Sequence, residues 1–436
     1  MLNLIVPGPP AIGFTVTGSG FAPDAWVWIT VEDLTDDTRP VNGPDAFQSA
    51  ADGTFTRNDE TTRLPCGHAF RAEAFVDNQV VATSEPVMPD CPTKPAPAGP
   101  ADPAASAATR AVFADLLVAP ARDTERLIIG QALRGWDDRG GGLAEPVTAL
   151  TDKGLPAPKL LEVDLTDLGA GGTEAHDLAI YSLLLDHTAR GGLVGFSWHA
   201  DNPWTGRGVE DRTFVDLPQL FDPDHLPGPA DDPRGGGAWK TQLDRIAGVL
   251  SRFNADDTVA FFRPLHESNG AWFWWGQQDP AEFAALWQGM FRYLTDTKGL
   301  HNLLWVYSAN RNFDGTQEMN TTRYYPGNDY VDVVALDIYD DDLTDAAPFK
   351  AGYTPLRYLG KPFAITEYGA DNAWDGHPAH DGAVHLPNDK VLRVIKERYP
   401  LTVLATAWYS ADGDNWQISD KPDPAALLLD PWAITR

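Results

Sequence analysis

The chain has 436 residues, more than one ordinary domain needs, so one large domain with a small companion is the expected organisation. Hydrophobic residues at 43% and charged residues at 22% make a globular composition that excludes bulk disorder, and no apolar run reaches bilayer length, which excludes membrane insertion. With 62 acidic against 33 basic residues the net charge is −29, which repels phosphate backbones and anionic lipid and argues against nucleic-acid partners, while a neutral substrate is indifferent to it.

The N-terminus, MLNLIVPGPP, has neither a basic n-region nor an apolar h-region, so a signal peptide is expected to be absent or already removed. Residues 1–91 carry short alternating segments such as GFTVTGSGF, AWVWITVED and HAFRAEAFVD, separated by Gly, Pro, Asp and Asn. Period-2 alternation with frequent turns predicts a small antiparallel β-sandwich. Cys66 and Cys91 are the only cysteines. They would be free thiols in a cytosolic protein; in a secreted one, the favoured setting, they close one disulfide worth about 3 kcal/mol. The pattern GSGFAPDAWVWI followed by DGTFTRND resembles the Ig-like repeats of secreted bacterial enzymes. That resemblance implies a spacer, with sugar or cell-wall binding as the alternative.

Residues 92–109, PTKPAPAGPADPAASAAT, are almost all Pro, Ala and small side chains, which cannot bury a core and predict an extended linker. From 110 to 436 the texture changes. Eight short apolar runs recur: Leu127–Gln131, Lys159–Leu165, Leu193–His199, Val259–Glu267, Leu303–Asn310, Val331–Tyr339, Pro362–Gly369 and Leu401–Ser410. Continuous apolar runs fit strands buried on both faces. Helical patterns lie between them at Glu174–Arg190, Ala238–Asn254 and Pro280–Lys298. Strands alternating with helices give an α/β fold, a (β/α)8 TIM barrel. A doubly wound sheet is the alternative, but the first run is followed by RGWDDRGGG, which lacks the spacing of a phosphate loop.

Barrel sites gather at the C-terminal strand ends. Those ends carry His199, His266 and Glu267, Asn310, Asp337 and Tyr339, Glu367, and Trp408 with Tyr409. A carboxylate at a buried strand end is costly without work or partners. Glu267 on strand four and Glu367 on strand seven face each other diagonally, and a separation of ~5 Å is that of a retaining glycosidase. One carboxyl must be protonated to serve the leaving oxygen, the other ionised to attack the anomeric carbon. The charge of the second raises the pKa of the first.

RPLHESNGAWFWWG (Arg263–Gly276) resembles the signature of glycoside hydrolase family 26, known for β-mannanases, and ITEYG (Ile365–Gly369) resembles its nucleophile strand. The resemblance runs from about Ala111 to the end. It implies a retaining (β/α)8 enzyme cutting β-1,4 linkages in mannan-type polysaccharides by double displacement, with Glu267 as acid/base and Glu367 as nucleophile. By context His199, His266, Trp272, Tyr339, Trp408 and Arg263 match the family's mouth residues. His266 stands where most related barrel glycosidases carry Asn, and Ser268 where many mannanases carry Met, which opens the sugar preference to mixed-linkage β-glucan or β-1,3-xylan. Trp272 and Trp408 are expected to stack on pyranose faces, Tyr339 to donate to Glu367, and Arg263 to compensate the carboxylates. Trp274 or Trp275 is expected to pack, and Trp204 to line a distal sugar site or a plain loop.

No cofactor or metal is expected: His377, His380 and His385 lack the periodicity of a zinc site, and Asp340–Asp342 reads as a solvated acidic run. A metal-dependent hydrolase and a non-catalytic sugar-binding barrel are the other classes weighed. A secreted monomer is the expected form.

Overall fold

The computed structural model describes residues 1–6, 12–34, 38–42, 46–64, 68–88, 97–134, 142–168, 174–221, 238–345, 352–370, 386–410 and 415–436. Cys66, Cys91, His377, His380 and His385 lie outside the described residues, and so do parts of the inserts 206–237 and 371–387. Two compact units emerge. One holds Met1–Pro95 with Asn312–Asn320 and Asp345–Gly360; the other holds Ala96–Arg311, Thr321–Thr344 and Lys361–Arg436.

The first unit is all-β in its N-terminal part, as the alternation predicts. Leu2–Ile5, Ile12–Gly18 and Phe55–Arg63 form one antiparallel sheet. Thr38–Asn42, Trp26–Asp33, Phe70–Val76 and Gln79–Thr83 form the other, with Phe47–Gln48 paired to Trp26–Asp33. Alternate residues of both sheets share one core, including Leu4, Val16, Val27, Val31, Phe55 and Phe70. Apolar side chains every second residue leave each sheet one face to bury.

In the second unit eight parallel strands close on themselves: β1 (Leu127–Leu133), β2 (Leu160–Asp164), β3 (Leu193–Trp198), β4 (Ala260–Pro264), β5 (Leu303–Asn310), β6 (Val333–Tyr339), β7 (Phe363–Gly369) and β8 (Thr402–Ala407). Each pairs with the next, and β1 pairs with both β2 and β8. All eight apolar runs are therefore strands of a TIM barrel. The expected helices form at Glu174–Ala189, Ala238–Ala255 and Pro280–Arg292, the last running on into a π-helical turn at Tyr293–Thr297. Helix Ala107–Val118 begins inside the stretch expected to be extended. The prolines end at Pro103, and the Ser106 hydroxyl accepts from the Thr109 N–H, which starts the helix there.

Inward-facing positions repeat every second residue along a strand. In β2 they read Leu160, Glu162, Asp164; in β4 Phe261, Arg263; in β5 Val306, Ser308, Asn310; in β6 Val333, Ala335, Asp337, Tyr339. The early members join the apolar cluster with Phe113 and Leu116 of the first helix. The late members are polar. One end of the barrel interior is thus a packed core and the other a buried polar basin.

Candidate active site

Two backbone irregularities place the facing carboxylates. β4 ends at Pro264, and both Leu265 (φ 45°) and Glu267 (φ 53°) then adopt the left-handed region. Each such residue costs ~1 kcal/mol or more, so the surroundings must hold the turn in place. The Glu267 N–H donates to the Ser308 carbonyl at 2.8 Å. Asn269 and Asn310 exchange two hydrogen bonds, the Asn269 side chain donating to the Asn310 carbonyl (2.8 Å) and accepting from its N–H (2.9 Å). The loop then folds back so tightly that a Cβ at Gly276 would collide with the Gly270 carbonyl. In β7 the register shifts beside Glu367, both against β6 and against β8. Through this bulge Thr366 and Glu367 both reach the interior, Thr366 donating to Asp337 (2.8 Å) and Glu367 meeting Arg263.

Carboxylate oxygens of Glu267, Asp337 and Glu367 all lie within 4.8 Å of one another, and all three residues are buried. Their partners differ in kind. Glu367 accepts from the Arg263 guanidinium at 2.6 Å and from the Tyr339 hydroxyl at 2.7 Å. Glu267 accepts only neutral donors among the described residues, Asn310 Nδ2 and Trp272 Nε1, each at 2.7 Å. Arg263, fully buried, spends its remaining bonds on Glu162 (2.8 Å) and Asp337 (3.2 Å). The spacing of Glu267, Asp337 and Glu367 is also that of a cation site, and the cation nearest it is this guanidinium.

Burial pushes the Glu267 carboxyl up to about 8, with the charges of Asp337 and Glu367 adding to the rise. Burial raises Glu367 as well, but there the Arg263 charge works against it first, helped by His199 and the Tyr339 bond. A proton shared by the pair therefore belongs on Glu267, and the charge on Glu367. The basin holds an acid and an anion with oxygens within 4.8 Å, close to the ~5 Å separation of a retaining pair.

Residues 103–436 match the family model Glycosyl hydrolase family 26. The chain belongs to that family. Mannan endo-1,4-beta-mannosidase A and B of Caldalkalibacillus mannanilyticus is 33% identical over 265 residues, 58% of this chain and 46% of that protein. Mannan endo-1,4-beta-mannosidase of Bacillus subtilis strain 168 is 31% identical over 272 residues, 60% of this chain and 66% of that protein. The alignments thus span about half to two-thirds of these relatives' lengths. A solved structure of a Bacillus subtilis mannanase superposes with a TM-score of 0.62 at 27% identity, covering 77% of this chain and 95% of that one.

Around the pair the family 26 barrel gathers every mouth residue expected from the sequence. Tyr339 donates to Glu367 as anticipated. Trp272 does more than offer a ring, since its indole N–H is bound to Glu267. The His266 ring meets His199 at 3.2 Å between their Nε2 atoms and lies 3.8 Å from Glu367. Trp408 lies with its ring centre 6.3 Å from His199 and 5.9 Å from the Arg263 guanidinium carbon. Trp274 and Trp275 are both packing residues, fully buried, with N–H groups on the Ala200 and His266 carbonyls. Trp204 is buried too, bound to Gln219 and packed edge-on against Trp274. Asp340 pairs with Arg311 and Asp342 with Lys390, ordinary loop ion pairs.

Four participants were not singled out from the sequence: Glu162, Asp164, Asn310 as a Glu267 partner, and Phe273, which packs edge-on against His199 and His266. The available signal was the acidic residue interrupting an apolar run, twice in LLEVD.

Proposed function

We propose that this barrel hydrolyses β-1,4-mannosidic linkages of mannan-type polysaccharides with retention of anomeric configuration. The observation that carries the reading is the pair of buried carboxylates within 4.8 Å, one facing neutral donors and one facing a guanidinium. Glu367 attacks the anomeric carbon as Glu267 gives its proton to the departing glycosidic oxygen; the leaving sugar departs as an alcohol, and the anomeric carbon stays bound to Glu367 as a glycosyl ester. Esterification removes one of the charges that, on top of burial and Asp337, raise the Glu267 carboxyl, so its ionised form becomes easier to keep. Glu267, now ionised, takes a proton from water, and the resulting oxygen nucleophile displaces Glu367 and restores both groups. Tyr339 and Arg263 hold the anion before attack. Trp408 and Trp272 supply ring faces for pyranose units, with His199 and His266 beside them; such stacking is worth ~1 kcal/mol per ring.

The mannan preference draws on the mannosidases to which the chain is similar. Both carboxylates come from one barrel, so a monomer suffices for the chemistry. A polysaccharide cannot cross a membrane, which favours a secreted enzyme, with residues 1–91 as an Ig-like spacer ahead of the catalytic barrel. Among the described residues no helix is long and apolar enough to span a bilayer.

The test is product analysis on linear mannan, lichenan and β-1,3-xylan. Mannan is expected to be cut fastest, and proton NMR should show the β-anomer forming first. An α-anomer forming first, or turnover confined to another glycan, overturns the mechanism or the substrate respectively. A pH profile adds an independent check. Glu267 works as an acid only while protonated, so kcat/KM is expected to fall as pH rises through about 8. Trp272→Phe removes a donor that favours the ionised form and is expected to move that alkaline limb upward.

A further inference from the structure

The polar basin contains a second ion pair that the double displacement leaves unused. Asp164 closes β2 and is buried. Every group it touches is a donor: Thr166 N–H (2.8 Å) and His199 N–H (3.3 Å) on one oxygen, Ser197 Oγ (2.7 Å) and His199 Nδ1 (2.6 Å) on the other. A carboxyl surrounded only by donors is an ionised acceptor, and it obliges His199 to keep a proton on Nδ1. The other nitrogen of His199 faces Nε2 of His266 at 3.2 Å, the two rings nearly perpendicular at 84°. One proton lies between those nitrogens, because two N–H groups would collide and two lone pairs would repel.

We propose that Asp164 is a positioning residue that keeps His199 doubly protonated, so that the imidazolium donates to His266 and presents its charge toward Glu367. The inference rests on the reading of Glu367 as the nucleophile. His266 is the acceptor of the two: burial first, then the charges of Arg263 and His199, hold it well below the usual histidine range. For His199, burial works against the charge, but Asp164 and then Glu367 outweigh it, against the opposing Arg263. The Asp164 carboxyl, in spite of burial, is held below the carboxylate range by His199 and its hydrogen bonds. Glu367 itself faces Arg263, Asp337, His199, Tyr339, His266 and Glu267, and Glu162 from β2. Of these only Arg263 and His199 carry positive charge. Removing the second should make the nucleophile harder to ionise.

Asp164→Asn keeps the shape and removes the counter-charge. In the full chain, ¹⁵N NMR of the histidine rings, with His199 assigned by its disappearance in His199→Gln, is expected to show an imidazolium at pH 7 in the unsubstituted protein. Its midpoint should lie above the ~6.5 of a free histidine. In Asp164→Asn the ring should be neutral at pH 7, and the acidic limb of kcat/KM on mannan should move up by about one pH unit. Ser197→Ala removes one hydrogen bond and no charge, and should leave that limb in place. A neutral His199 at pH 7 in the unsubstituted chain overturns the proposal without any variant needing to fold. So does a folded Asp164→Asn whose acidic limb stays put. A chain that leaves mannan uncut overturns the substrate reading instead, and the NMR titration still decides this one.

Discussion

Glu367→Ala is expected to lower kcat on mannan by ~10⁵–10⁶-fold, the scale of loss when a covalent nucleophile is deleted. The fold should survive, because Arg263 keeps Glu162 and Asp337 as partners. Glu267→Ala should lower mannan turnover by ~10²–10⁴-fold, the typical contribution of a positioned acid. The two losses differ in kind. With a dinitrophenyl glycoside, whose leaving group needs no proton, Glu267→Ala should form the glycosyl ester quickly and stall at its hydrolysis, giving a burst of dinitrophenolate. Glu367→Ala should show no burst. Near wild-type turnover of mannan by either variant removes the assignment.

The second large effect is on stability. Arg263→Met takes the guanidinium from three buried carboxylates, Glu162, Asp337 and Glu367. Breaking a buried ion pair from one side costs ~3–5 kcal/mol, because charge is left without compensation. The three carboxyls respond by holding protons, so their folded-state pKa values, already raised by burial, rise further once the lowering charge of Arg263 is gone. A raised carboxyl stabilises the fold at low pH and loses that contribution as pH climbs through its folded value. The deficit relative to wild type is therefore expected to be smaller at pH 5 than at pH 8, measured as urea midpoints at both. A midpoint unchanged at pH 8 shows that the cluster does not depend on this cation.

The eight strands were legible because parallel strands buried on both faces leave continuous apolar runs, and each run found in the chain became a strand. The ends of those runs then listed nearly all of the mouth, including Glu267, Glu367, Tyr339 and Trp408. Glu162 and Asp164 were harder to see. Read alone, LLEVD is an apolar run with polar interruptions, and only the placement of Arg263 and His199 from other strands gives those interruptions a purpose. Trp272 shows the same limit from another side. Its position at the mouth follows from the motif, but the direction of its N–H depends on a loop held by Asn269 and Asn310.

By itself the sequence determined the strand count and the order of strands around the barrel, and it singled out Glu267 and Glu367 as candidates, because periodicity and strand-end position are local properties of the chain. The family resemblance already implied which carboxyl keeps the proton, but the physical reason for that choice lies only in the tertiary structure. That choice depends on one guanidinium reaching Glu367 and not Glu267, on a left-handed turn after β4 and on a bulge in β7, and each of these is fixed by contacts between residues far apart in the chain.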